Sequence, residues 1–179
     1  RARAAVERAR ERLAAVVGAS RGDIVFTSGA TESDNLAILG LARHGEATGR
    51  KHIVSTAIEH HAVLEPIAEL ERRGFDVERL TPDAGGAIDP VAVQRAVRTG
   101  TLLVSVMHAQ NEVGTVPPIA ASAAAVRGHG ALFHCDAAQT VGTCSGSGGT
   151  LNLASGHTFI AGNGGGGAVA GALTGAGAF

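Results

Sequence analysis

Four short apolar stretches of this sequence are each followed directly by side chains that could bind a ligand. The segments that follow them are Ser28–Ser33, Glu59–His61, His108–Gly114 and Asp136–Gln139. Small residues that lead into a helix leave backbone N–H groups free, which suits a phosphate, and Thr31 adds a hydroxyl. A carboxylate at the end of an apolar strand is costly unless a cation pairs with it. A protonated pyridine nitrogen would be such a cation.

Each of these signals also has a plainer interpretation. The segment before Thr31 could be an ordinary glycine turn with a hydroxyl cap, and His60 could be a surface or capping histidine. Asn111 could serve loop structure alone, and Asp136 could cap the next turn. Adjacent histidines do not point the same way on a helix, and the two cysteines lack a metal-ligand or disulfide-framework spacing. We therefore predict no metal site.

The elements that must position these groups alternate between strands and helices. We predict strands over residues 24–27, 52–56, 75–80, 102–107 and 131–135, with two further strands over 151–154 and 168–173. We predict helices over residues 2–17, 31–43, 61–73, 90–98 and 119–127. The strands lack a polar face, so the pattern predicts an α/β fold with a mostly parallel sheet flanked by helices. Ligands of such sheets lie beyond the carboxyl ends of the strands.

Composition narrows the class of protein. The net charge of −1 gives no indication of a nucleic-acid or anionic-membrane partner, and no apolar run is long enough to span a bilayer. The charged N-terminal pattern does not resemble a signal peptide, so we expect a cytoplasmic protein. Because the chain starts at Arg1 rather than Met, we expect a fragment. We divide it into a core, residues 1–142, and a glycine-rich remainder, residues 143–179, in which no charged side chain occurs.

Four collinear motifs carry a family resemblance. The segments Val25–Asn35, Glu59–Leu64, Met107–Gly114 and His134–Gly142 resemble those of cysteine desulfurases, and Ser155–His157 resembles the start of their Ser-Gly-His-Lys motif. These enzymes belong to the class-V aminotransferase group, which depends on pyridoxal 5'-phosphate (PLP). The resemblance implies the large domain of a PLP-transferase fold, of the aspartate aminotransferase type, in incomplete form.

The resemblance also implies a role for each matching residue. Ala30 and Thr31 would hold the cofactor phosphate, with help from Ser155 and His157. His60 would stack on the pyridine ring and could take part in proton transfer. Asp136 would pair with the ring nitrogen. The ring hydroxyl would bind Gln139 and Asn111.

The family reaction converts L-cysteine to L-alanine and passes the sulfur to iron–sulfur cluster assembly or thiolation. The resemblance therefore implies a homodimer and a sulfur-acceptor or scaffold partner. Thr158, however, occupies the position of the Schiff-base lysine, Lys51 is the sole lysine, and neither Cys135 nor Cys144 matches the mobile catalytic cysteine. We therefore expect this chain to be inactive. Two alternatives stay open: a non-catalytic remnant or interaction fragment, and a selenocysteine lyase or other class-V aminotransferase.

Overall fold

A seven-stranded sheet with helices on both faces forms the molecule. The computed structural model describes residues 1–17, 19–140, 157–161 and 170–174, and it describes side chains in all of these except Val16 and the last two segments. The strands are β1 (Ile24–Thr27), β2 (His52–Thr56), β3 (Asp76–Leu80), β4 (Thr101–Ser105), β5 (Leu132–Asp136), β6 (His157–Ala161) and β7 (Ala170–Thr174). The helices are α1 (Ala2–Val17), α2 (Ala30–Gly40), α3 (Ala42–Thr48), α4 (His61–Arg72), α5 (Pro90–Ala96) and α6 (Ile119–Val126), with a 3₁₀ turn over Arg21–Asp23.

The strand order is β1-β7-β6-β5-β4-β2-β3. The strands β3, β2, β4, β5 and β6 pair in parallel, whereas β7 runs antiparallel to both of its neighbours, β6 and β1. As a result, β1 points the same way as the five parallel strands. The prediction of a mostly parallel sheet flanked by helices is confirmed, and the carboxyl ends of six strands lie at one edge.

Each face of the sheet buries its own aliphatic core. Alternate residues of a strand point to opposite faces, so adjacent residues of β2 enter different cores: Ile53 packs toward α2, α3 and α4, and Val54 packs toward α5 and α6. Both side chains are fully buried. A smaller cluster holds α1 against the start of β1 through Val17 and Ile24. The sheet is therefore fixed from both sides, and this fixes the positions of the strand ends.

The predicted helix over residues 31–43 differs from the observed structure. The chain instead forms α2 and then α3, which continues through Gly45 to Thr48 and is followed by Gly49 in the left-handed region, at φ 72°. A Cβ at Gly45 would lie 2.7 Å from the carbonyl oxygen of Arg50 and 2.8 Å from the ring of Phe75. Gly45 is therefore required for close packing, and Gly49 has the conformation that ends a helix.

The expectation that all strands lack a polar face is wrong for β3. This strand lies at the edge of the sheet and exposes Asp76, Glu78 and Arg79, because an edge strand has one neighbour and is only partly covered. The predicted strand over 151–154 lies outside the described residues, and the later strand is observed as β7. Within the described residues, no helix combines the length and the apolar character that crossing a membrane requires.

Candidate functional site

Four loops converge where the parallel strands end. The loop after β1 leads into α2, the loop after β2 leads into α4, the chain after β4 carries His108, and β5 ends at Asp136. The edge on which they meet follows from the common direction of these strands. The structure therefore brings together the segments of the four motifs, each now with a defined local geometry.

The first turn of α2 has backbone donors that find no acceptor within the helix itself. The helix begins at Ala30 after Gly29, which has no side chain to cap it. Glu32 folds back and accepts hydrogen bonds from the backbone N–H and the hydroxyl of Ser28, and these bonds lower the pKa of Glu32. Ala30 and Thr31 have no acceptor one turn earlier within the helix, so their N–H groups point out of its first turn. This turn can bind an anion, and the exposed hydroxyl of Thr31 lies beside it.

His60 is the N-cap residue of α4. Its Nδ1 accepts a hydrogen bond from the backbone N–H of Ala62 at 3.1 Å. In the neutral ring the proton is therefore on Nε2. The side chain is otherwise exposed, so a face of the imidazole remains available to a flat ligand. The capping interpretation and the stacking interpretation of His60 are thus compatible.

Asp136 ends β5 as a buried carboxylate with 6% of its surface exposed. Its Oδ1 accepts a hydrogen bond from the backbone N–H of Ala138 at 2.9 Å. Burial and the charge of Asp34 raise the pKa of Asp136, whereas the Ala138 N–H and the charges of His134 and His60 lower it. A cation placed beside Asp136 would compensate a carboxylate that is costly to bury alone.

His108 joins the ends of β4 and β5. Its backbone N–H donates to the carbonyl of Asp136 at 2.8 Å, and its Nδ1 lies 2.7 Å from the hydroxyl of Thr140. Burial lowers the pKa of His108. The next residues form an exposed turn in which the side chain of Gln110 accepts from two backbone N–H groups, and Asn111 is exposed in that turn. Gln139 is also exposed, three residues after Asp136.

The remaining predicted residues fall in or before β6. Ser155 lies outside the described residues. His157 and Thr158 begin β6, and their backbones pair with those of Phe133 and His134. Ile160 is the residue of β6 that pairs with Asp136. The structure therefore places His157 and Thr158 beside β5, but before the level of its carboxyl end.

Comparison with known proteins decides the family. The aminotransferase class-V family matches residues 1–172. The chain belongs to the class-V aminotransferase family. Members of this family depend on PLP, and the sequence resemblance to cysteine desulfurases is confirmed by the relatives. The cysteine desulfurases IscS of Anaeromyxobacter sp. strain K and of Pseudomonas aeruginosa PA14 are each 52% identical to it over 142 residues, which is 79% of this chain.

Solved structures agree with this assignment. DndA from Streptomyces lividans superimposes with a TM-score of 0.87 at 45% identity, covering 97% of this chain and 48% of that one. An apo cysteine desulfurase from Thermococcus onnurineus NA1 gives a TM-score of 0.78 at 29% identity, covering 94% and 42%. The chain spans 35% of the length of the curated relatives named above.

Sequence reasoning missed a buried ionisable cluster in this class-V aminotransferase chain. Glu59 is 5% exposed, and its Oε1 accepts from the Thr56 hydroxyl at 2.9 Å and from the Met107 N–H at 2.8 Å. Burial raises the pKa of Glu59 to about 7. Asp34 and His134 are buried close by. All three occur within the quoted motifs, and an ionisable residue inside an otherwise apolar strand, such as His134, was the available signal.

Cys135 has 2% of its surface exposed, and burial raises the pKa of its thiol well above the ordinary value. A neutral, inaccessible thiol is a poor nucleophile. Cys144 lies outside the described residues. Among the residues that the structure describes, no group of three or more His, Cys, Asp or Glu side chains is placed to hold a metal ion.

Asn35 links the two helices that carry Thr31 and His60. Its side-chain amide donates to the carbonyl of Thr31 at 2.9 Å and to the carbonyl of Ala62 at 3.4 Å. Pro66 lies inside α4, four residues after Ala62, and has no N–H to donate to that carbonyl. The amide of Asn35 therefore replaces the missing helical donor and ties α2 to α4.

Because the amide of Asn35 takes the place of a backbone donor, mutations of Asn35 and Pro66 are expected to have coupled effects on the free energy of unfolding. Asn35→Ala is expected to cost about 1 kcal/mol of unfolding free energy. In a Pro66→Ala background the cost should fall, because the exchange supplies a backbone N–H for the same carbonyl. Urea unfolding of the four chains measures the coupling, expected at about 0.5 kcal/mol or more. Strictly additive costs would show that the amide does not replace the proline's missing donor.

Proposed function

We propose that this chain forms the PLP-binding part of a cysteine desulfurase-like protein. The observation that carries the proposal is the buried carboxylate of Asp136 at the carboxyl end of β5, which lacks a lysine or arginine partner within the described residues. A protonated pyridine nitrogen provides the missing cation. When bound, PLP supplies an electron sink for reactions at an amino-acid substrate.

The residues of the site are suited to different parts of the cofactor. The N–H groups of Ala30 and Thr31 and the Thr31 hydroxyl would hold the phosphate, because a helix N-terminus favours an anion. His60 would cover one face of the ring while the Ala62 N–H holds its orientation. Asp136 would hold the ring nitrogen.

The sequence resemblance assigns four more residues to the proposed site. Gln139 and Asn111 would bind the ring hydroxyl, and Ser155 and His157 would assist at the phosphate.

The proposed substrate of the complete protein is L-cysteine. One similar structure, SspA in complex with cysteine, is 44% identical with a TM-score of 0.72 and covers 76% of this chain and 39% of that one. We further propose conversion to L-alanine with transfer of the sulfur to an acceptor or scaffold protein, by a cytoplasmic homodimer. Since the chain spans about a third of its curated relatives, these properties are proposed for the whole protein.

The chain itself is proposed to bind PLP reversibly without completing the reaction. Thr158 carries no amine, so it can neither attach the cofactor covalently nor move a proton as a lysine does. Loss of general acid–base catalysis alone costs about 10²–10⁴ in rate. The buried thiol of Cys135 does not supply a substitute nucleophile.

Isothermal titration of the natural chain with PLP tests this proposal. We expect saturable binding that weakens about tenfold or more in Asp136→Asn, because a charged partner of the ring nitrogen is lost. Asp76→Asn is the matched control, since Asp76 lies on the exposed edge strand β3. A folded chain that gives no saturable heat would refute PLP binding and favour the non-catalytic remnant.

A further inference from the structure

Directly behind Asp136 lies a buried group of polar side chains to which the proposed function gives no role. His134 is two residues before Asp136 in β5, so both side chains lie on the same face of the strand. His134 has 1% of its surface exposed, and Asp34 of α2 and Ser105 of β4 are fully buried. The group therefore joins the helix that begins at the anion-binding turn to the two central strands.

The contacts within this group are specific. Nδ1 of His134 lies 2.7 Å from the hydroxyl oxygen of Ser105, and its Nε2 lies 3.4 Å from Oδ1 of Asp34. The second contact is an ion-pair distance rather than a hydrogen bond, and neither carboxylate oxygen of Asp34 has a hydrogen-bond partner within the described residues. A carboxyl group that is buried without hydrogen bonds stays ionised only when a positive charge lies beside it.

The charges around this group determine which negative charge His134 compensates. Three buried carboxyl groups, those of Asp34, Glu59 and Asp136, share this end of the sheet. Burial keeps Glu59 largely protonated below neutral pH, because its pKa is raised to about 7, and it keeps the neighbouring Cys135 thiol neutral. Asp34 and Asp136 are then the two carboxylates to be compensated, with His134 beside the first and the exposed His60 near the second.

We propose that Asp34 and His134 form a buried carboxylate–imidazolium pair, aligned by Ser105, and that His134 is thereby a positioning residue that leaves Asp136 as the single uncompensated carboxylate of the site. In this arrangement Nδ1–H donates to the Ser105 oxygen, and the positively charged ring lies beside Asp34, with its Nε2 3.4 Å from Oδ1. One negative charge then faces the cofactor region, and it matches one ring-nitrogen cation. This last step rests on the proposed function, whereas the ion pair itself does not.

Removing His134 alone would leave Asp34 charged and unpaired in the interior. The two remaining carboxylates would repel each other, and a proton would be taken up by one of them. If Asp136 took up that proton, it could no longer pair with a protonated ring nitrogen. Removing the charges of Asp34 and His134 together leaves no unpaired charge there, so Asp136 should stay ionised as in the natural chain.

The first experiment uses the full chain without any ligand. Nitrogen-15 NMR of the imidazole side chains, recorded at about pH 7 in a Glu59→Gln background that keeps that position neutral, should show both nitrogens of His134 protonated. The resonances are assigned by their loss in His134→Gln. In Asp34→Asn the same ring should carry one proton at that pH. A singly protonated His134 in that background with Asp34 intact would overturn the proposal, whether or not PLP binds.

The second experiment measures PLP affinity by the titration described above. His134→Gln is expected to bind about tenfold more weakly or worse, whereas the double variant Asp34→Asn/His134→Gln should bind like the natural chain. Should the single variant fail to fold, the double variant still decides, because poor binding by a folded double variant contradicts a role through charge. Absence of binding by the natural chain would refute the proposed function, and the NMR result would still decide on the ion pair.

Discussion

Exchanging Glu59 for glutamine is expected to remove about 3 kcal/mol of pH dependence from the stability of the chain. The folded-state pKa of Glu59 is raised from 4.5 to about 7, mainly by burial. A raised pKa means that the native state favours the protonated form, so the contribution of Glu59 is complete below about pH 4.5 and is lost as the pH rises through about 7. A pKa difference of this size corresponds to about 3 kcal/mol.

Urea unfolding of the natural chain and of Glu59→Gln, at a series of values from about pH 4 to about pH 8, measures this difference. Glutamine keeps an oxygen that can accept from the Thr56 hydroxyl and the Met107 N–H. The exposed Glu112 provides the control exchange Glu112→Gln, which should leave the pH profile unchanged. Parallel profiles for Glu59→Gln and the natural chain would show that Glu59 is ionised in the folded protein like a surface carboxyl.

A Thr158→Lys exchange is expected to convert reversible PLP binding into covalent attachment. The amine takes the position that the Ser-Gly-His-Lys motif gives to its lysine, in the strand next to the one that ends in Asp136. We expect a visible absorbance band with PLP, and incorporation of one equivalent after borohydride reduction, where the natural chain incorporates none specifically. An amine is the group that forms such a bond with the cofactor aldehyde.

Lys51 is the other lysine to consider, so the exchange is made in a Lys51→Arg background. Lys51 lies over the ring of Phe75, just before the amino end of β2 and thus at the opposite edge of the sheet from Asp136. Peptide mapping should place the label at residue 158. A folded variant that binds PLP without covalent attachment would show that β6 holds residue 158 out of reach of the cofactor.

The alternation of strands and helices could be predicted from the sequence, because apolar strands and capped helices leave local signals. Asp89 followed by Pro90, for example, predicted the start of α5, where the Asp89 carboxylate accepts from the Val91 N–H. Asp136 and His60 could be singled out for a related reason, since the first ends a strand and the second lies in the loop after one. Their convergence required only the rule that parallel strands end at one edge.

Other features depend on contacts distant in sequence. Glycine is a residue type that often ends helices, so the sequence alone does not show that Gly45 continues one. Its packing against Arg50, Phe75 and Leu102 is visible only in the fold. The role of Asn35 depends on a proline in another helix. The contact between Asp34 and His134 joins residues 100 positions apart. A local pattern reports none of these, because burial and charge compensation are properties of the assembled sheet.

The pairing of β1 has a consequence for the order of assembly. Within the described residues β1 hydrogen-bonds to β7, which is made almost 150 residues later and runs in the opposite direction. During synthesis from the N-terminus, the strand that leads into the anion-binding turn must therefore wait for the last strand of the sheet. Closing so long a loop delays folding. A nascent chain that stops short of residue 170 would present β1 as an unpaired edge, open to aggregation or to exchange with another copy.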